Sequence, residues 1–331
     1  MTTNISGLRD RGIEAVGFNF SPLITQDEKN IYVLQKNLTA IIFFLKFAYH
    51  LFTSTHIHWI YGGRSKISVL LMKIIGLLKS KKFVEYCGSD ARSLEKMCDD
   101  IDHYDISRFD DEDKKRLGVE KTSISTQRRF KEYGYQAIAN SIEISDYMDE
   151  KINPTFFEYN RSINLLDIKT YRSTSSQALG IPLITHIPSN PKIKGTDYFL
   201  AAVKKLKDEG LADYKMLSGV SRDTALKAIS QSTIIVDQLI IGEYGVFAIE
   251  AMALDKPTVC FIRNKLQKRY EEEFEGFPII NANIMNIYGV LKELLLNLEN
   301  TRRIGNLGCD FVKRYHTSEV NIQRLIKIYQ S

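Results

Sequence analysis

Along the second half of the chain, apolar runs of strand length alternate with amphipathic segments of helix length, the pattern of repeated βα units on a parallel sheet. The runs are Pro182 to Ile187, Tyr214 to Leu217, Thr233 to Gln238, Pro257 to Ile262 and Pro278 to Asn281, and a helical period follows each. These units predict one doubly wound domain. In its first helix Phe199, Ala202, Val203 and Leu206 recur at helical spacing, Lys204, Lys205 and Asp208 face away, and Gly210 is the stop. The first half is less regular, but Ile13 to Phe18, His56 to Tyr61, Lys82 to Tyr86 and Ala137 to Ile142 read as strands of a second α/β domain. Apolar stripes at Ile41 to Leu51 and Ile67 to Leu78 read as core helices. From Asp99 to Arg129 the chain turns polar, with a charge run over Asp110 to Arg116 that predicts an exposed excursion. The polar, aperiodic stretch Thr170 to Gln177 reads as the linker. The expected domains are therefore 1–170 and 178–316, with a closing helix over 317–331 carried by Val320, Ile322, Leu325, Ile326 and Tyr329.

Composition narrows the classes. At 331 residues the chain exceeds what one core usually supports, and 44% hydrophobic with 26% charged residues describes an ordinary globular protein and excludes disorder or a fibre. Lys and Arg number 45 against 40 Asp and Glu; a surplus of +5, read as spread along the chain, gives no footprint for nucleic acid. The longest apolar stretches are broken at Lys46 and Lys73, short of the roughly 20 residues a membrane span needs. Met1 to Ser6 shows no basic region followed by an apolar one, so a cytoplasmic protein is expected. Contact with a membrane surface through Lys73, Lys79, Lys81 and Lys82 stays open. Cys87, Cys98, Cys260 and Cys309 have no metal or redox spacing and read as reduced thiols. Asp100-Ile-Asp102 follows what reads as a helix end instead of the apolar strand a metal-holding Asp-x-Asp needs, so no metal and no resident cofactor are expected.

The most informative segment is Ile240 to Asp255, where a strand ending at Asp237-Gln238 meets a short loop and a helix. Gly245 lets backbone approach a ligand, and the free N–H groups of the following helix favour an anion such as a diphosphate. Glu250 is the one charge between Val246 and Leu254. A carboxylate set against a core needs partners, and ribose hydroxyls would serve; the plain alternative is a surface Glu on a half-buried helix. Asp237 and Gln238 stand at a strand's carboxyl end, the usual place for ligand contacts in open α/β sheets, though an Asp there also caps helices.

Gly242-Glu-Tyr-Gly-Val-Phe-Ala-Ile-Glu-Ala-Met-Ala-Leu-Asp-Lys-Pro257 resembles the signature of bacterial family 4 glycosyltransferases, in which an acidic residue, seven others and a second Glu precede Ala-Met-Ala. The resemblance implies the α/β GT-B architecture, two Rossmann-like domains with parallel sheets facing an interdomain cleft. It also implies retaining transfer of a sugar from a nucleotide-sugar. Glu250 takes the place of the Glu that holds the donor ribose, with Gly245 and Tyr244 beside it; the first acidic position falls on Gly242, with Glu243 one residue later as a catalytic candidate. Thr185 to Thr196 is similar to the family's donor-phosphate segment: Lys194, before Gly195, would neutralise the leaving diphosphate. Ser189 stands where relatives carry Arg, and Lys192 is the candidate substitute. Ser218 to Asp223, with Val220 and Ser221, resembles the loop that recognises the donor base. Tyr86-Cys-Gly-Ser-Asp-Ala-Arg92 resembles a His-Gly-Ser-Asp turn, with Cys87 for the histidine, Asp90 as a catalytic candidate, and a local Asp90–Arg92 pair as the alternative. The implied partners are a UDP- or GDP-hexose and a glycan or lipid-linked acceptor, in polysaccharide or lipopolysaccharide assembly on the cytoplasmic side. Two alternatives remain: a catalytically silent GT-B scaffold and a nucleotide-sugar 2-epimerase.

Overall fold

The computed structural model describes residues 2–20, 31–34, 39–60, 66–88, 90–100, 107, 109–117, 120–152, 161–172 and 180–331. The chain forms two compact units: Met1–Asn160 with Asn321–Ser331, and Arg161–Val320. The first boundary thus falls ahead of the one expected at 170. The expected linker lies largely outside the described residues, as do Asp100-Ile-Asp102 beyond its first residue and the end of the expected strand His56 to Tyr61.

In the first unit, β1 (Gly17–Asn19) and β2 (Ile31–Val33) pair in parallel, and β3 (His56–Ile60), β4 (Lys81–Tyr86) and β5 (Gln136–Ala139) form a parallel sheet in the order β3-β4-β5. The expected strand Ala137 to Ile142 stops early because Ser141 caps a helix: its hydroxyl accepts from the Ile144 amide, and Ile142 begins the helix Ile142–Asp146. The last helix, Ser318–Gln330, lays Ile322, Leu325 and Ile328 against Phe83 and Ile138 of this sheet. The stripes expected as core are only partly so. In the helix Thr39–Thr53 Phe43 is buried and meets Phe18 and Phe20 edge-on, whereas Ile41, Leu45, Tyr49 and Phe52 lie outside. In Lys66–Gly76 Met72 and Ile75 are buried and Leu70 and Ile74 exposed.

In the second unit, β6 (Leu183–His186), β7 (Asp213–Met216), β8 (Ile234–Val236), β9 (Thr258–Cys260) and β10 (Ile280–Asn281) form one parallel sheet in the order β10-β9-β8-β6-β7. The strand order reverses between β6 and β8, and open α/β sheets bind ligands beyond the carboxyl ends at such a switch point. The predicted helix Thr196–Asp208 covers one face through Phe199, Val203 and Leu206, packed on Ile184, Ile234 and Val236. The helices Val246–Ala253 and Leu298–Tyr315 pack together. Gly305 permits this approach: a Cβ there would overlap the Asp255 carbonyl oxygen and lie 2.9 Å from Pro257 Cδ. No described helix is long and apolar enough to cross a membrane.

Candidate functional site

The switch point is built by a buried histidine. His186 ends β6, its Nδ1 2.9 Å from the Val236 carbonyl oxygen of β8 and its Nε2 2.9 Å from the Thr196 hydroxyl. A carbonyl only accepts, so Nδ1 carries the proton and Thr196 donates to Nε2. Burial pushes the imidazole down to about 4, and it stays neutral at physiological pH. This ring ties both strand ends to the start of Thr196–Asp208.

The chain leaving β6 makes one helical turn, Pro191–Lys194, capped by the Asn190 side chain, which accepts from the Ile193 amide. Gly195 ends it at φ 80°, where a Cβ would press on Leu239 and Ile240 at 3.2 Å. The Leu239 amide donates to the Lys194 carbonyl. Held on both sides, Lys194 directs Nζ onto Asp237 Oδ1 at 2.9 Å, and the other oxygen of Asp237 accepts from the Gly245 amide at 3.3 Å. The Asp237 carboxylate is buried and Lys194 keeps a fifth of its side chain in solvent. Gly245 is the N-cap of Val246–Ala253 and offers no side chain to the helix terminus. Lys194, Asp237 and Gly245, three residues expected in the donor site, therefore meet at the switch point. Lys192 lies half-buried on the same turn.

Glu250 sits on the second turn of that helix, 7% exposed. Its Oε1 accepts from Arg222 Nε at 2.7 Å, while Arg222 also donates to Asp167 at 2.9 Å. Among the described residues Oε2 has no protein partner. Burial raises the Glu250 carboxyl above its ordinary 4.5, with the Arg222 charge acting against that rise. Arg222 and Asp167 were not singled out by the sequence reading, although Arg222 lies within the Ser218–Asp223 loop. Val220 is half-buried and Ser221 exposed; the Ser221 hydroxyl accepts from the Thr224 amide and caps Arg222–Gln231.

Three residues expected to touch ligand face inward instead. Gln238 is fully buried: its amide nitrogen donates to the carbonyls of Glu243 and Phe261, and its oxygen accepts from the Ile240 and Ile241 amides. It staples the loop. Glu243 directs its carboxylate into the unit, where Tyr270 donates at 2.5 Å and Arg161 pairs at 3.2 Å. Tyr244 is buried with its hydroxyl on His316 Nε2 at 3.1 Å, and burial raises that phenol. The physical reason is the backbone at Gly242, which turns at φ 80° against Arg263, so the next side chain enters the core. A Cβ at Gly242 would overlap Arg263 Cγ.

In the first unit Asp90 is buried, and its carboxylate accepts from the Cys87 and Gly88 amides at 3.1 and 2.7 Å, closing the turn after β4. Arg92 makes a two-pronged pair with Glu143, at 2.6 and 3.0 Å, on a fully buried carboxylate that the sequence reading did not single out. His58 contacts Tyr329 Oη at 2.6 Å and Glu85 at 3.3 Å, fastening the last helix to the sheet. Among the described residues no three His, Cys, Asp or Glu side chains group as metal ligands.

No family model and no curated protein matches the sequence. Solved structures do match in fold. A sucrose-phosphate synthase from Thermosynechococcus elongatus superposes with a TM-score of 0.66 at 14% identity, covering 99% of this chain and 91% of its own. The fold is GT-B. A glycosyltransferase from Rickettsia africae gives 0.63 at 13% identity over 99% of this chain and 93% of its own. HepE of Anabaena, solved with UDP and glucose, gives 0.62 at 13% identity over 100% and 95%.

Proposed function

We propose that this chain is a glycosyltransferase that moves a hexose-type sugar from a nucleotide-sugar to a hydroxyl of a glycan or lipid-linked acceptor, with retention and without a bound metal. The observation that carries the reading is the meeting of Lys194, Asp237 and the Gly245 amide at the switch point of the second sheet, with Glu250 one turn further along the same helix. When the sugar C1–O bond breaks, negative charge grows on the departing phosphate oxygen. An ammonium and a helix N-terminus stabilise that charge most where they are already fixed. Asp237 supplies the fixing: it orients Lys194 and draws the Gly245 amide to the same place. The open oxygen of Glu250 accepts from the donor ribose. Glu243, Tyr244 and Gln238 shape the loop from inside, and Asp90 shapes the turn after β4. UDP is the favoured base carrier, because HepE and an alpha-glucosyltransferase of the same fold were solved with UDP. The setting we propose is cell-surface polysaccharide or lipopolysaccharide assembly, at the cytoplasmic face of the membrane.

One observation favours a silent GT-B scaffold as the second reading: the acidic residue nearest the family's first Glu position faces the core. Calorimetric titration with UDP, GDP, ADP and CMP, with and without EDTA, tests the first reading. Selective binding that survives EDTA and weakens in Lys194→Met is expected. No binding of any nucleotide by folded protein would overturn it, and binding without sugar turnover on any donor would leave the scaffold.

A further inference from the structure

Apart from Lys46, His50 and its terminal threonines the helix Thr39–Thr53 is apolar, yet only part of its apolar surface is covered. Phe43 and Phe47 pack edge-on against Phe18 and Phe20, which fixes the helix's rotation and holds Ile41, Leu45, Tyr49 and Phe52 outward as one stripe. Leu45 is 66% and Phe52 71% exposed. The helix Lys66–Gly76 repeats the pattern, with Leu70 outward and Leu77 just past its end 82% exposed. Large apolar side chains grouped in an exposed stripe mark an interaction surface, so this face calls for an occupant.

Charge identifies it. The +5 surplus is not spread evenly: between Glu28 and Glu85 there is no Asp or Glu, while nine Lys or Arg residues fall in that interval. The rest of the chain holds 36 basic and 40 acidic residues, so this one segment makes the protein basic. Lys46, Lys73, Lys79 and Lys81 are exposed in it. Lysine is depleted in protein–protein interfaces, whereas aromatic and aliphatic side chains flanked by lysines suit the boundary of an anionic bilayer. We infer that the outward faces of Thr39–Thr53 and Lys66–Gly76 seat the first unit on anionic lipid, with Leu45, Phe52 and Leu77 entering the acyl boundary and the lysines at headgroup level.

This surface is independent of the donor-site reading, since it needs neither Glu250 nor a nucleotide. The test is co-sedimentation of the full chain with phosphatidylcholine vesicles and with vesicles of equal parts phosphatidylcholine and phosphatidylglycerol. Wild type is expected to bind the anionic vesicles, less well as salt rises, and the neutral ones weakly. Leu45→Ser with Phe52→Ser removes two exposed side chains without opening the core, so thermal unfolding and UDP titration should stay as in wild type. Vesicle affinity should fall by roughly tenfold or more, the share of apolar side chains that enter the boundary. Lys73→Gln with Lys79→Gln should reduce anionic binding and flatten its salt dependence. No sedimentation with anionic vesicles at low salt, or unchanged binding by the serine variant, would overturn the inference. So would a wild-type dimer, seen by analytical ultracentrifugation, that the serine variant dissolves, because a second copy would then be the occupant.

Discussion

Glu250→Gln is the sharpest perturbation of the proposed donor site. The carboxylate is buried, gives Oε1 to Arg222 at 2.7 Å and leaves Oε2 for a ligand, so one ribose hydrogen bond is at stake. A hydrogen bond to a charged acceptor contributes about 1.5–3 kcal/mol and one to a neutral amide about 0.5–1.5, a difference of ~1–1.5 kcal/mol. That corresponds to a roughly five- to twelvefold weaker UDP complex. Calorimetry with UDP and with its 2′,3′-dideoxy counterpart isolates the contact: wild type should prefer UDP, and the variant should lose most of that preference. Since burial raises the Glu250 carboxyl, the wild-type preference should begin to fail, as the pH is lowered, at a higher pH than an unperturbed carboxylate would give. Arg222 opposes the rise, so Arg222→Gln should move the failure to still higher pH, and Glu250→Gln should abolish the dependence. The stability effect has the opposite sense. A folded-state value raised above the unfolded one contributes stability below the unfolded value and loses it as pH rises through the folded value. Glu250→Gln should therefore be neutral or stabilising at neutral pH while it weakens the ligand, the signature of a carboxylate kept for binding. Equal affinity of variant and wild type for UDP, with the hydroxyl preference intact, would refute the assignment.

Arg92→Ala should strand the Glu143 carboxylate, which is fully buried, and breaking a buried pair this way costs about 3–5 kcal/mol. For a unit of this size the calorimetric transition should drop by roughly 6–20 °C, while replacing both residues by apolar ones recovers most of it. Gly242→Ala forces a side chain into φ 80° against Arg263; a loss of about 2 kcal/mol or more is expected in urea denaturation, and Gly242→Glu should not raise turnover. Gly305→Ala should also destabilise, by prising Leu298–Tyr315 from the Asp255 carbonyl, read as an earlier unfolding of the second unit.

The second unit was legible because its central strands β6, β8 and β9 are buried and read as apolar runs: these three and β10 fall within the predicted spans, while the more exposed β7 begins at Asp213, one residue ahead of its span. The residues that meet at its switch point were legible for a related reason. Lys194 precedes a turn-ending glycine, Asp237 follows a run of β-branched residues, and Glu250 interrupts an apolar helix, each a polar group where the local pattern calls for something else. The first unit was harder. β2 has three residues, too few for a period to show, and Ile142 continued an apolar run that Ser141 assigns to a helix through one hydrogen bond.

What the pattern could not carry is direction and partnership. Glu243 and Glu250 look alike in sequence, two acids around one loop, but the left-handed turn at Gly242 sends the first into Tyr270 and Arg161, while helix geometry leaves the second with an open oxygen. Arg222 is remote from Glu250 along the chain, and no spacing rule links them; the sheet order does, by setting β7 and β8 on either side of β6 so that the segments following their carboxyl ends meet. The same limit explains Thr39–Thr53. A mostly apolar helix reads as core because hydropathy counts how much surface seeks burial, whereas the aromatic contacts of Phe43 and Phe47 decide which side receives it. The side left over is information that only the packed chain supplies. Together with an acid-free flank, that exposed stripe is what the lipid inference rests on.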